Sequence, residues 1–101
     1  MANDEMLLLV SLFIHPGQEA AFRRFEAAAA AIMARHGGRI ERVIRPLPGV
    51  GGAPPPHEIH LISFPDARAF AAYRADAALA ALAPLRAAAI ARTQIVTGRP
   101  G

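Results

Sequence analysis

Cysteine is absent from this chain of 101 residues, which excludes disulfides, thiol catalysis and thiolate metal sites and fits a reducing compartment. Lysine is absent too. All eleven basic residues are arginine, so the sequence pI near 11.0 reflects side chains that hold their charge to very high pH, not a large excess of charge. The formal net charge is only +3, and the arginines are scattered among carboxylates. No basic tract suited to nucleic acid results. Nor is there a run of the about 20 apolar residues that a membrane helix needs. The apolar stretch 6–14 ends at His15-Pro16-Gly17, and the acidic start MANDEM is a poor signal peptide. A soluble, cytoplasmic protein is expected.

The length suits one domain covering residues 1–101. Such a domain buries roughly two thirds of its unfolded surface, so burial against a second copy is attractive.

The most legible stretch is 58–76, EIHLISFPDARAFAAYRAD. Residues 58–64 read as a strand rich in apolar and β-branched side chains, and Pro65-Asp66 ends it and supplies an N-cap for a helix carrying Phe70 and Tyr73. Upstream, MLLLVSLFI (6–14) is nearly continuous apolar and reads as a strand buried on both faces. Residues 18–35 change to the helical period, with Phe22, Phe25, Ala29, Ile32 and Met33 on one stripe and Arg23, Arg24 and Glu26 pointing elsewhere. His36-Gly37-Gly38 closes that helix. RIERVIR (39–45) is a second strand, with Ile40, Arg42 and Ile44 expected on one face and Glu41, Val43 and Arg45 on the other. The Gly- and Pro-rich residues 47–56 form a loop, mobile in its Gly portion. Residues 77–91 are helical in composition and broken at Pro84, and read as the end of the second helix, a kink and a short last helix. TQIVT (93–97) is the fourth strand.

The order is β-α-β-β-α-β, an α+β, ferredoxin-like arrangement in which a four-stranded antiparallel sheet carries its helices on one face. One consequence follows. The first strand is apolar on both sides, so the face without helices would expose a large apolar patch unless a second sheet covers it, and a twofold dimer is the expected cover.

Four segments carry a family resemblance: PGQEAAFRRFE, RHGGRIERVIR, ISFPDARAFAAYRAD and LAPLRAAAIARTQIVTG. Over nearly the whole chain they resemble the dimeric α+β barrel superfamily and, within it, the bacterial family of domain of unknown function thirteen-thirty. The loop LPGVGGAPPP departs from the compact pattern. The resemblance implies a homodimeric barrel. It fixes no activity, because the superfamily spans cofactor-free monooxygenases, lactone isomerases, dehydratases, stress-induced barrels and haem enzymes.

Candidate site residues are few. His57 and His60 form H-E-I-H, but on a strand residues three apart point to opposite faces about 10 Å apart, so no metal site is expected. His60, on a face with Ile62 and Phe64, is either a buried histidine satisfied by a neighbour or a pocket residue able to act as a base. Arg42 is either solvated at a sheet edge or, with Glu58 as its partner, a clamp for a ligand carboxylate or phenolate. Tyr73 faces the sheet one turn after Phe70, and the resemblance implies that Arg86 lies near a pocket mouth. His15 reads as a turn residue or a pocket-rim base, and Ser11 as a local hydrogen-bonding residue.

The preferred reading is a homodimeric domain holding a small, largely apolar or aromatic ligand through Arg42, His60, Tyr73 and Arg86, with no cofactor expected. The alternative is a cofactor-free monooxygenase or isomerase with His60 as base. RNA binding shares the element order, but EIHLISF lacks the aromatic and basic pattern that stacks bases.

Overall fold

The computed structural model describes residues 4–49 and 52–101; Val50 and Gly51, in the loop read as mobile, lie outside the described residues. Strand β1 (Met6–Ile14) is followed by helix α1 (Glu19–Arg35), β2 (Arg39–Ile44), β3 (Glu58–Phe64), helices α2 (Ala67–Arg74), α3 (Ala77–Ala80) and α4 (Ala83–Ala89), and β4 (Ile90–Gly98). The four strands make one antiparallel sheet in the order β2-β3-β1-β4. This is the ferredoxin-like fold, with its helices on one face. Among the described residues no helix is long and apolar enough to cross a membrane.

Local chemistry sets the element ends. Asp66 caps α2 by accepting a hydrogen bond from the Ala69 N–H at 2.8 Å, as its place after Pro65 suggests. Asp76 caps α3 in the same way through the Ala78 N–H. The expected short last helix is present, but the break before it falls at Ala81 and Leu82 and not at Pro84 itself. The proline sits in the first turn of α4, where its missing N–H has no partner to lose. The strand that follows starts earlier than the sequence pattern suggests, at Ile90, because this buried apolar residue continues the β1 ladder opposite Ile14.

The core lies between helices and sheet. Leu8, Val10 and Leu12 alternate along β1 toward the helices, and Phe22 and Met33 of α1 meet Ile62 and Phe64 of β3. Phe64 stacks between Phe70 and Tyr73, with ring centroids 5.2 and 5.5 Å away. Gly38 is required here, since a Cβ at that position would collide with Met33 and lie 2.7 Å from Phe64 Cζ.

Among the described residues nothing covers the other sheet face, and the molecule is only 16 Å deep along its short axis. Leu9 sits opposite Leu61 on one side and Val96 on the other, and Ile44 opposite Ile59. Leu9, Ile44 and Val96 remain 43%, 52% and 65% exposed.

A register shift between Ile40 and Arg42 corrects the expected facing of β2. Ile40 lies opposite Ile62 and Val43 opposite His60, on the helix face, whereas Arg42 lies opposite Leu61 on the open face. The extra residue of the bulge reverses the alternation beyond it. Arg42 is exposed, and β2 is an edge strand.

Candidate functional site

Strand β3 alternates, so Glu58, His60, Ile62 and Phe64 all point toward the helices, and the first two are polar groups under a helical roof. Glu58 and His60 side chains are each only 6% exposed. His60 Nε2 lies 2.8 Å from Glu58 Oε1, while the second Glu58 oxygen accepts a hydrogen bond from Arg45 Nε at 3.2 Å. Arg45, just past the bulge, occupies the place the sequence offered to Arg42.

A third group completes the cluster from across the core. Glu26 follows Phe22 by one turn of α1, and its Oε2 approaches His60 Nε2 to 3.0 Å. This oxygen is buried, and its polar neighbours are His60 and Glu58. Burial pushes the Glu26 carboxyl above its ordinary value of 4.5, and the nearby Glu58 carboxylate adds to the effect against the opposing influence of His60. For Glu58, burial also acts upward, but contacts with Glu26, His60 and Arg45 outweigh it and hold the carboxyl below 4.5. Two carboxyls side by side thus have opposite preferences, one for its proton and one for its charge. The donor atoms of Glu26, Glu58 and His60 all lie within 4.8 Å of one another, a spacing that a single cation could also span. The sequence reading weighed a metal only at His57 and His60. Both rings in fact flank Phe22, at centroid distances of 5.4 and 6.5 Å, because His57 precedes the strand and escapes its alternation.

Glu26 and His60 border a cavity of about 150 Å³ between helices and sheet. Its wall is mainly apolar, from Val10, Phe22, Ile62 and Phe64 among others, and Tyr73 and Arg86 also line it. His60 and Phe64 stand four residues apart on β3, about 13 Å at strand rise, and Tyr73 packs on Phe64, so the two polar groups sit toward opposite ends of an apolar slot. Burial raises the Tyr73 hydroxyl above its ordinary value, with the Arg86 charge acting in the other direction. Among the described residues no carboxylate pairs with Arg86.

Of the residues singled out from sequence, the structure therefore brings His60, Tyr73 and Arg86 to one cavity and leaves Arg42 on the far side of the sheet. His15 is an exposed turn residue whose N–H donates to the Ala89 carbonyl at 2.9 Å. Glu26, expected from the helical period to point away from the apolar stripe of α1, instead faces the core. Its spacing of four from the buried Phe22 was the available signal.

Comparison with known proteins places this geometry. The family model described as "Domain of unknown function (DUF1330)" matches residues 8–99. The chain belongs to that family. No curated protein matches it. Solved structures share the DUF1330 chain's fold at low identity. The RPA0582 protein of unknown function from Rhodopseudomonas palustris superposes with a TM-score of 0.81 at 14% identity, over 98% of this chain and 84% of that one. A dabb family protein with a ferredoxin-like fold from Mesorhizobium loti gives 0.68 at 16%, over 95% and 96%. SnoaB of Streptomyces nogalater, described as a cofactor-independent oxygenase, gives 0.66 at 22%, over 97% and 96%.

Proposed function

We propose that this DUF1330 domain is a cytoplasmic small-molecule-binding protein that works as a homodimer, joined through the open sheet face, and holds a largely apolar or aromatic ligand between helices and sheet. The observation that carries the reading is the cavity of about 150 Å³, apolar along its length and bordered by Glu26 and His60 and by Tyr73 and Arg86. Such a mixture of apolar wall and few polar groups suits recognition of a small organic molecule. Dimerisation is supported by the exposed apolar side chains of Leu9, Ile44 and Val96 on the open face, which a second copy of the same face would cover.

Amide chemical-shift mapping with a panel of small aromatic acids and their neutral analogues tests the reading. Binding should perturb Ile62, Phe64 and Tyr73, and Arg86→Ala should weaken the acids more than the neutral analogues. If no compound perturbs these positions at millimolar concentration, the cavity is not a binding site.

A second reading, a cofactor-free monooxygenase or isomerase, is favoured by one specific observation: Glu26 and His60 meet at the cavity wall, with the Glu58 carboxylate directly behind them. The fold shared with a cofactor-independent oxygenase is compatible with it. Turnover of quinol or lactone substrates would separate an enzyme from a binder.

A further inference from the structure

If the cavity takes a ligand, as proposed above, one group is placed to exchange a proton with it. His60 is the obvious choice from sequence, yet its Nε2 is committed to Glu58 Oε1 at 2.8 Å, in a pair whose side chains are each 6% exposed. Glu58 is in turn held by Arg45 and does not border the cavity. Glu26 does border it, with a side chain 29% exposed, while its buried Oε2 is turned back to His60 Nε2 at 3.0 Å. A partly exposed carboxyl on the cavity wall, backed by a buried histidine and a second carboxylate, is the group a ligand's acidic hydrogen would meet. Helix α1, anchored by Phe22 one turn earlier, fixes its position.

We infer that Glu26 is the residue that exchanges a proton with the bound molecule, that His60 and Glu58 are positioning residues behind it, and that the ligand is a weak carbon or oxygen acid, such as a ketone with an acidic α C–H or its enol. In the forward step the Glu26 carboxylate takes the α-hydrogen. The C–H bond breaks, its electron pair moves to the carbonyl oxygen as an enolate, and the proton rests on the carboxyl until it returns to carbon or oxygen. No external oxidant or reductant is needed. The raised proton affinity of Glu26 makes it a stronger base than an ordinary carboxylate near neutral pH. The charged and titratable groups facing it are Glu58 and His60 from β3, Arg45 beyond β2, and Tyr73 and Arg86 around the cavity, while β4 contributes the uncharged Thr93 and Ile95.

The probe is indan-2-one in D2O, followed by proton NMR for α-deuteration and by saturation transfer for binding. The wild-type protein should accelerate deuteration saturably. Glu26→Gln should lower the accelerated rate by about a hundredfold or more while binding persists, and Glu26→Asp should restore part of it. Glu58→Gln should move the midpoint of the pH–rate curve to lower pH, a shift that a merely structural role would not produce. Binding without accelerated exchange, a Glu26→Gln variant as active as wild type, or loss of exchange on adding a chelator would each overturn the inference while leaving the binding function intact. Absence of binding itself would overturn the cavity reading and this inference with it.

Discussion

Arg45 Nε donates to Glu58 Oε2 at 3.2 Å, setting a guanidinium that is 78% exposed on a carboxylate that is almost sealed from water. An exposed partner contributes little Coulomb energy, so Arg45→Ala should cost no more than about 1 kcal/mol in urea unfolding at pH 7. Its signature lies in acid. The folded Glu58 carboxyl is held below 4.5, so its contribution is present above that value and is lost as pH falls through the folded value. Removing Arg45 should raise the Glu58 midpoint seen by carboxyl-carbon NMR, and Arg42→Ala should leave it unchanged.

His36 Nε2 lies 2.8 Å from Asp76 Oδ2, tying the end of α1 to the cap of α3. That contact, followed by the Ala78 N–H, holds the Asp76 carboxyl below its ordinary 3.8. Stability from Asp76 is therefore present above the ordinary value and vanishes as pH falls through the lower folded one. Asp76→Asn should show a smaller drop in Tm than wild type between pH 5 and pH 2, read by circular dichroism. An equal drop would mean that the pair does not persist in solution.

Much of this architecture could be read from sequence because strand and helix periods are local properties. The Asp66 cap and the β3 alternation from Glu58 to Phe64 each follow from a few neighbouring residues. What could not be read depends on events between strands. The bulge between Ile40 and Arg42 leaves no mark in RIERVIR, yet it turns Arg42 to the open face and hands Glu58 to Arg45. The cluster itself joins α1 to β3, so Glu26 and His60 become neighbours only when the helix lies on the sheet. Pro84 marked the short last helix but not its first residue, since a proline can end one helix or sit in the first turn of the next depending on where the previous turn stops.

Gly38 and Gly17 offer a contrast in what a methyl group meets. At Gly38 it would strike Met33 and Phe64 in the core, so Gly38→Ala should cost about 2 to 3 kcal/mol in urea unfolding. At Gly17 nothing lies within 4 Å and only the backbone, at φ +78, resists. Gly17→Ala should cost about 1 kcal/mol, consistent with the left-handed conformation alone.

The open face supplies a separate test of association. Leu9 is at its middle, opposite Leu61 and Val96, and 43% exposed. Leu9→Arg would place a charge at the centre of any interface built on this face, where charge is disfavoured. Sedimentation at micromolar concentration should show a dimer for wild type and a folded monomer for the variant. A wild-type monomer, or a variant that still dimerises, would move the interface elsewhere or abolish it.

Glu26 makes a prediction that runs against the usual effect of removing a charged group. Burial first, and then the nearby Glu58 carboxylate, raise its folded proton affinity above the ordinary value of 4.5. A raised carboxyl contributes its stability fully below the ordinary value and loses it as pH rises through the folded value. Above that point wild type must hold a poorly solvated carboxylate beside Glu58, whereas Glu26→Gln stays neutral in the same space. The variant's Tm advantage over wild type should therefore grow between pH 4 and pH 8. Combined with slower proton exchange, this would be the pattern expected where a strained group is kept for what it does and not for the fold. A wild type more stable than Glu26→Gln at pH 8 would instead mean that His60 fully compensates the carboxylate, and that Glu26 belongs to the scaffold.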